Sequence, residues 1–354
     1  MDATSPAKIE RRRPAVWAIA VVCLVAVALV AWYATGRGDA PSVQTLPTPA
    51  HVALVYAKPV GSRIIGGPEV VYVASPTDKN SHRLGVGTSP LISPDGRTVA
   101  YLGGSPAHPA GLQLVSLVGR PSRMVRVSGA PLVWSWDSRF LAVGGGRGLR
   151  ILDVHTLRLT TIRLPEAVEN FSFSPDGSTL AFQHSTGSGT DIYTVSRFGG
   201  PIHRLTDDHR SEFPLWGPGG IAFERYGSDR CMNCRGDVWL MNANGGDARQ
   251  VTHTRAGIYP AAWSANGQRI LAAYPATNNG KLYAVDVASG ATRPLTRFVG
   301  DLNAQGLSRN GRTVLAAIGC GETMSPYGIV ETIPFRGGHP TVIARGPCRA
   351  SSNF

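Results

Sequence analysis

Short runs of alternating apolar and polar residues recur from about residue 52 to the end of the chain, and most are separated by tight turns rich in Gly, Asp and Asn. Thr98-Val99-Ala100-Tyr101 and Thr179-Leu180-Ala181-Phe182 each follow a Ser-Pro-Asp-Gly turn, at Ser93 to Gly96 and Ser174 to Gly177. Variants of that turn stand at Ser135-Trp136-Asp137-Ser138, Gly217-Pro218-Gly219-Gly220, Ser264-Ala265-Asn266-Gly267 and Ser308-Arg309-Asn310-Gly311. A period of two predicts half-buried strands, because successive side chains leave a strand on opposite faces. Asp-Gly and Asn-Gly tolerate the positive φ that closes a hairpin with the right twist.

Each repeat has the same grammar of four antiparallel strands. The third strands align as Leu112-Gln113-Leu114-Val115, Leu149-Arg150-Ile151-Leu152, Asp191 to Val195, Asp237 to Met241, Lys281 to Val285 and Tyr327 to Val330. Turns such as Phe198-Gly199-Gly200 and Asn244-Gly245-Gly246 lead to fourth strands, including Arg204-Leu205-Thr206 and Gln250-Val251-Thr252. A recurrence of about forty residues is that of a propeller blade. Val52 to Tyr56, Val70 to Val73 and His82 to Leu84 read as a further copy lacking its first strand. The chain end, through Pro347 to Phe354, is expected to supply that strand, which would remove the unpaired edges. An all-β, seven-bladed β-propeller is therefore expected, with six blades as the alternative.

Hydropathy changes character at the N-terminus. Residues 14–34 carry no charge and are dominated by Ala, Val, Leu and Ile, enough for a helix of roughly 30 Å. Lys8, Arg11, Arg12 and Arg13 precede this run, and Trp32 and Tyr33 end it. The positive-inside rule then predicts a single-pass signal anchor with residues 1–13 in the cytoplasm and the rest extracytoplasmic. A cleaved signal peptide is the competing reading, but Trp32 spoils the small-x-small pattern before Ala34, and Pro41 would follow a cut after Ala40. Residues 35–49 read as a linker, and 50–354 as the propeller.

The Ser-Pro-Asp-Gly turn, a strand of the type Ile192-Tyr193-Thr194-Val195, the following Gly199-Gly200 and Leu205-Thr206 together resemble the WD40-like (PD40) repeat of TolB-type propellers. The resemblance spans about Val52 to Phe354 and implies an extracytoplasmic interaction or ligand-binding module. The copies at Trp136 and Gly217 depart from the pattern, and a tethered seven-fold chain differs from the six-bladed, freely soluble TolB.

Charge and cysteine content narrow the function classes. The chain carries 35 Lys and Arg against 23 Asp and Glu, a net charge of +12. Past the membrane segment the excess suits a protein or an anionic cell-envelope polymer as partner, whereas nucleic acid does not fit the expected location. A monomer is expected. Cys320 and Cys348 fall on one expected face and form a candidate disulfide, and Cys231 with Cys234 a candidate local one. No Gly-x-Ser-x-Gly elbow is present, and no catalytic residue is assigned.

Position suggests the binding residues. Counting back five from each turn serine or its equivalent reaches Thr88, Ala130, Glu169, Glu212, Tyr259 and Asn303, where the chain starts an innermost strand. With His209, Arg210 and Asp301, the polar members form a candidate binding face at the channel mouth. No cofactor is expected, although a divalent cation in the channel would give the alternative function, a propeller hydrolase or lactonase. Trp134, Phe173, Trp216 and Trp263, one residue before the turns, are expected to pack between blades.

Overall fold

In the computed structural model the described residues are 54–351 apart from 60–68, 76–77, 106–107, 120, 128, 146–147, 228–235, 255, 275–279, 297–301, 308–310, 319–327 and 347–348. The expected anchor and linker, Asp301 and all four candidate disulfide cysteines lie outside the described residues. Among those described, no helix is long and apolar enough to cross a membrane.

The architecture is an all-β propeller of six sheets. The first has seven strands: β1 (Leu54–Pro59), β2 (Glu69–Ser75), β3 (Asp78–Ile92), β4 (Thr98–Ser105), β5 (His108–Ser116) and β6 (Arg123–Val125), with β27 (Arg349–Ser351) outside β1. The second contains β7 (Pro131–Trp134), β8 (Phe140–Gly145), β9 (Gly148–Asp153) and β10 (Leu159–Ile162). The third contains β11 (Val168–Phe173), β12 (Thr179–Thr186), β13 (Gly189–Ser196) and β14 (Ile202–Arg204). β15 (Ser211–Gly217), β16 (Gly220–Arg225), β17 (Asp237–Met241) and β18 (Arg249–Gln250) make the fourth, and β19 (Tyr259–Trp263), β20 (Arg269–Tyr274), β21 (Lys281–Asp286) and β22 (Thr292–Pro294) the fifth. The sixth is β23 (Leu302–Leu307), β24 (Thr313–Ile318), β25 (Gly328–Pro334) and β26 (Thr341–Gly346).

The sheet count corrects the expected seven blades to six. The first two repeats share one uninterrupted strand: β3 pairs with β2 through His82 to Val86 and with β4 through Gly87 to Ile92. No turn separates these two segments, so the hydrogen-bonded ladder continues from one repeat into the next and merges them. The closure lies where the chain end was expected to provide it. β27 pairs antiparallel with β1, Val55 opposite Ser351 and Ala57 opposite Arg349. β27 also contacts β23 and β3, joining the last sheet to the first.

The serine turns explain why the repeat has its sequence. Ser93 Oγ donates to Asp95 Oδ1 at 2.6 Å and accepts the Thr98 N–H at 2.9 Å. Ser174 repeats this with Asp176 and Thr179, and Ser264 with Asn266 and Arg269. The hydroxyl thus satisfies the backbone group where the second strand starts, which an apolar residue would leave bare.

The large residues before the turns lie between sheets. Trp134, Phe173, Trp216 and Trp263 are all buried. Trp134 clusters with Leu91 and Ala100 of the preceding sheet, and its indole N–H donates to the Leu91 carbonyl at 3.3 Å. Trp263 does the same against Ala222 and Val238, donating to the Leu215 carbonyl at 2.9 Å. Truncating a buried ring of this kind costs about 3–5 kcal/mol. Farther out, Arg123, Arg249 and Arg293 donate to the Val154, Val287 and Phe335 carbonyls of the next sheet. These recurring contacts fix the sheets side by side and so fix the loops that they carry.

Candidate functional site

Six strands break register at the same point. The irregularities lie between Thr88 and Leu91 in β3, Pro131 and Val133 in β7, and Glu169 and Ser172 in β11. They recur between Glu212 and Leu215 in β15, Pro260 and Ala262 in β19, and Leu302 and Ala304 in β23. A bulge leaves residues unpaired and re-aims their side chains. The positions selected by counting from the turns therefore stand at or beside these bulges. Three bulge residues are non-glycine with positive φ: Ser89 at 51°, Asn170 at 53° and Phe213 at 53°. Such backbone costs on the order of 1–3 kcal/mol and persists only where its surroundings hold it.

Gln183 provides that hold for two of them. Its Oε1 accepts the Asn170 side-chain amide at 2.8 Å and the Phe213 backbone N–H at 2.9 Å. Phe213 in turn stacks on Tyr259, with ring centroids 4.7 Å apart. One relay thus ties β11 and β12 to β15 and β19 across three sheets.

Glu212 belongs to a second cluster. It is opposite Glu224 in the β15–β16 ladder, and the Tyr226 hydroxyl donates to its Oε2. Glu224 is only 4% exposed. Burial, with the nearby Glu212 carboxylate next in effect, pushes its pKa up to about 7. The Gly236 N–H donates to Glu224, and a Cβ on Gly236 would lie 2.4 Å from the Glu224 side chain, so any other residue there would push that carboxylate out of place. Burial and the hydrogen bond to Glu212 raise the Tyr226 pKa as well, which keeps the phenol a donor.

His209 and Arg210 lie in the connection between β14 and β15. His209 Nδ1 is 2.9 Å from Asp191 Oδ2, and Asp191 also accepts Arg204 at 2.7 Å. The Arg210 guanidinium reaches the Tyr226 carbonyl at 3.4 Å, beside an Arg225–Asp208 ion pair of 2.5 Å. These contacts anchor the connection to β13 and β16. Among the described residues no group of three or more His, Cys, Asp or Glu side chains is arranged to hold a metal ion.

Glu169 is paired with Gln183 in the β11–β12 ladder. It lines a groove of about 890 Å³ between the second and third sheets. Leu132, Leu149, Leu164, Val168 and Phe171 form its apolar wall, with Arg163, Glu166, Glu169 and Asn170 as polar members. Asn303 lies in β23, at the sixth bulge.

Sequence reasoning missed Gln183, Glu224 and Leu132. A signal existed for two of them. Of the counted positions with a ladder partner, Thr88 and Tyr259 face the apolar Leu102 and Ala273, whereas Glu169 and Glu212 face the polar Gln183 and Glu224. Leu132 carried no such mark, because its exposure depends on the bulge.

No family model matches the chain, and no curated protein matches it. Among solved structures, TolB from Acinetobacter baumannii superimposes with a TM-score of 0.54 at 17% identity, over 97% of this chain and 74% of that one. The chain folds as a TolB-like β-propeller. The β-propeller domain of the trilobed protease from Pyrococcus furiosus, described as having an open velcro topology, gives a TM-score of 0.62 at 12% identity, over 84% of this chain and 97% of that one. An oligogalacturonate lyase in complex with manganese gives 0.54 at 15%, over 83% and 85%. At such identities the likeness is one of fold, and this TolB-like propeller's chemistry has to be read from its own residues.

Proposed function

We propose that the chain is a membrane-anchored extracytoplasmic propeller that binds a protein or an anionic envelope polymer. The groove beside Glu169 carries the protein-binding side of this reading: its volume of about 890 Å³ suits a side-chain-sized occupant, and its wall is apolar with charged groups at the margin. Residues 14–34 serve as the anchor and residues 1–13 stay in the cytoplasm, following the basic residues before the apolar run. The Cys320–Cys348 and Cys231–Cys234 pairs form disulfides there, and Arg210, Asp301 and Asn303 extend the binding face. The likeness to TolB supports a binding role by analogy of fold.

Protease added outside intact cells should digest the propeller and spare residues 1–34. A photo-crosslinker placed at Phe213 or Leu132 of the full chain should form a discrete adduct in the native membrane. Protection of the propeller would sink the topology, and adduct-free crosslinking at both positions would sink the binding role.

The facing carboxylates of half-buried Glu212 and buried Glu224 favour a second reading, a hydrolase or lactonase with a divalent cation in the channel. A propeller neighbour described as an oligogalacturonate lyase in complex with manganese is consistent with it. Metal analysis of the full chain decides between them. A stoichiometric divalent ion lost in Glu212→Gln/Glu224→Gln would support the second reading, and its absence would remove it.

A further inference from the structure

We infer that the groove between the second and third sheets receives a short segment of another protein in which an apolar side chain stands next to a Lys or Arg. The inference rests on the binding-module reading above and names the partner chemistry for that site.

The apolar half follows from Leu132. It sits at the β7 bulge, between Pro131 and Val133, and is 40% exposed. Unpaired by the bulge, Leu132 folds back on its own sheet, over β8. Here its seat is Gly144, where a Cβ would come within 2.6 Å of Leu132 Cδ1. Leu132 therefore lies flat on bare backbone and presents its other side to the groove. Opposite it, Leu164, Val168 and Phe171 are only half-buried, so the wall keeps apolar area for an incoming side chain. At about 25 cal/mol per Å², filling such a wall is the main source of affinity that the site offers.

The wall is also held in shape. Ala167 and Asn170 bracket Val168 and Glu169 with φ of 56° and 53°. Asn170 is fixed through Gln183 to Phe213, so the strained turn is braced from the neighbouring sheet. A wall already in place avoids much of the ordering cost of binding.

The charged half comes from the margin. Glu166 and Glu169 outnumber Arg163 there, in a chain whose net charge is +12. Among the described residues the exposed Glu169 side chain has no hydrogen-bond or ion-pair partner. A carboxylate beside an apolar wall selects a cation flanking an apolar side chain, and it disfavours an acidic polymer at this spot.

The test is panning of a random dodecapeptide phage library on the full chain in detergent micelles. Enriched peptides are expected to carry Leu, Ile or Phe within two positions of Lys or Arg. Their affinity should fall at least tenfold on Leu132→Asp, and Glu169→Arg should turn the preference toward Asp and Glu beside the apolar residue. Gly144→Ala displaces Leu132 without adding charge and keeps the test valid if Leu132→Asp does not fold. Peptides that bind all three variants unchanged but are lost on Tyr259→Ala would overturn the groove and leave the binding module standing. A library with no enriched peptide would overturn both.

Discussion

Glu212 and Glu224 face one another across the β15–β16 ladder, one half-buried and one almost fully enclosed. Two carboxylates so placed cannot both ionise cheaply, and the enclosed one takes the burden: its pKa rises from 4.5 to about 7. A group whose folded pKa is raised stabilises the fold fully below its unfolded pKa and loses that contribution as pH rises through the folded value. Stability should therefore drop between about pH 4.5 and pH 7, by up to about 3 kcal/mol from this residue. Glu224→Gln should flatten that part of the profile and raise stability at pH 8. Urea melts of both proteins at pH 5 and pH 8 check it, and parallel pH profiles would count against the buried-proton assignment.

Gln183 presents a different case, because one acceptor serves two elements. Replacing it by Leu keeps the volume but leaves the Phe213 N–H and the Asn170 amide unpaired, at about 1–3 kcal/mol for each group that stays buried. Gln183→Glu retains the acceptor and should cost less. Hydrogen exchange should show faster opening at Phe213 in the Leu variant, and equal exchange in all three proteins would refute the relay.

Closure by β27 makes a prediction at the chain end. Removing residues 349–354 takes away the partner of Val55 to Ala57 and exposes an unpaired edge on β1. A loss of about 2 kcal/mol should lower Tm by roughly 3 °C in a propeller of this size. An unchanged Tm would show that β1 needs no partner there.

The strands themselves were legible in the sequence because their causes are local. Asp95, Asp176 and Asn266 accept the neighbouring serine hydroxyls within a single turn, so four residues suffice to place a hairpin. Trp134 and Trp263 were legible as packing residues for a similar reason, since a large apolar side chain before a turn has nowhere else to go. The merging of the first two repeats was not legible: β3 has the composition of two strands, and only its two ladders show that it runs unbroken.

The candidate site divides along the same line. Counting from the turns found Glu169, Glu212 and Tyr259, because each lies at a constant distance from a local signal. It could not tell that Glu169 opens on a groove with Leu132 while Glu212 is paired with Glu224 and Tyr226. Those groupings depend on bulges and on contacts between strands or sheets, which join residues such as Gln183 and Phe213 that are distant in sequence. By itself the sequence determined a repeated strand-and-turn unit and the N-terminal apolar run. Tertiary structure alone decided the sheet count, the strained bulges and which polar side chains share a site, because non-local hydrogen bonds and burial set all three.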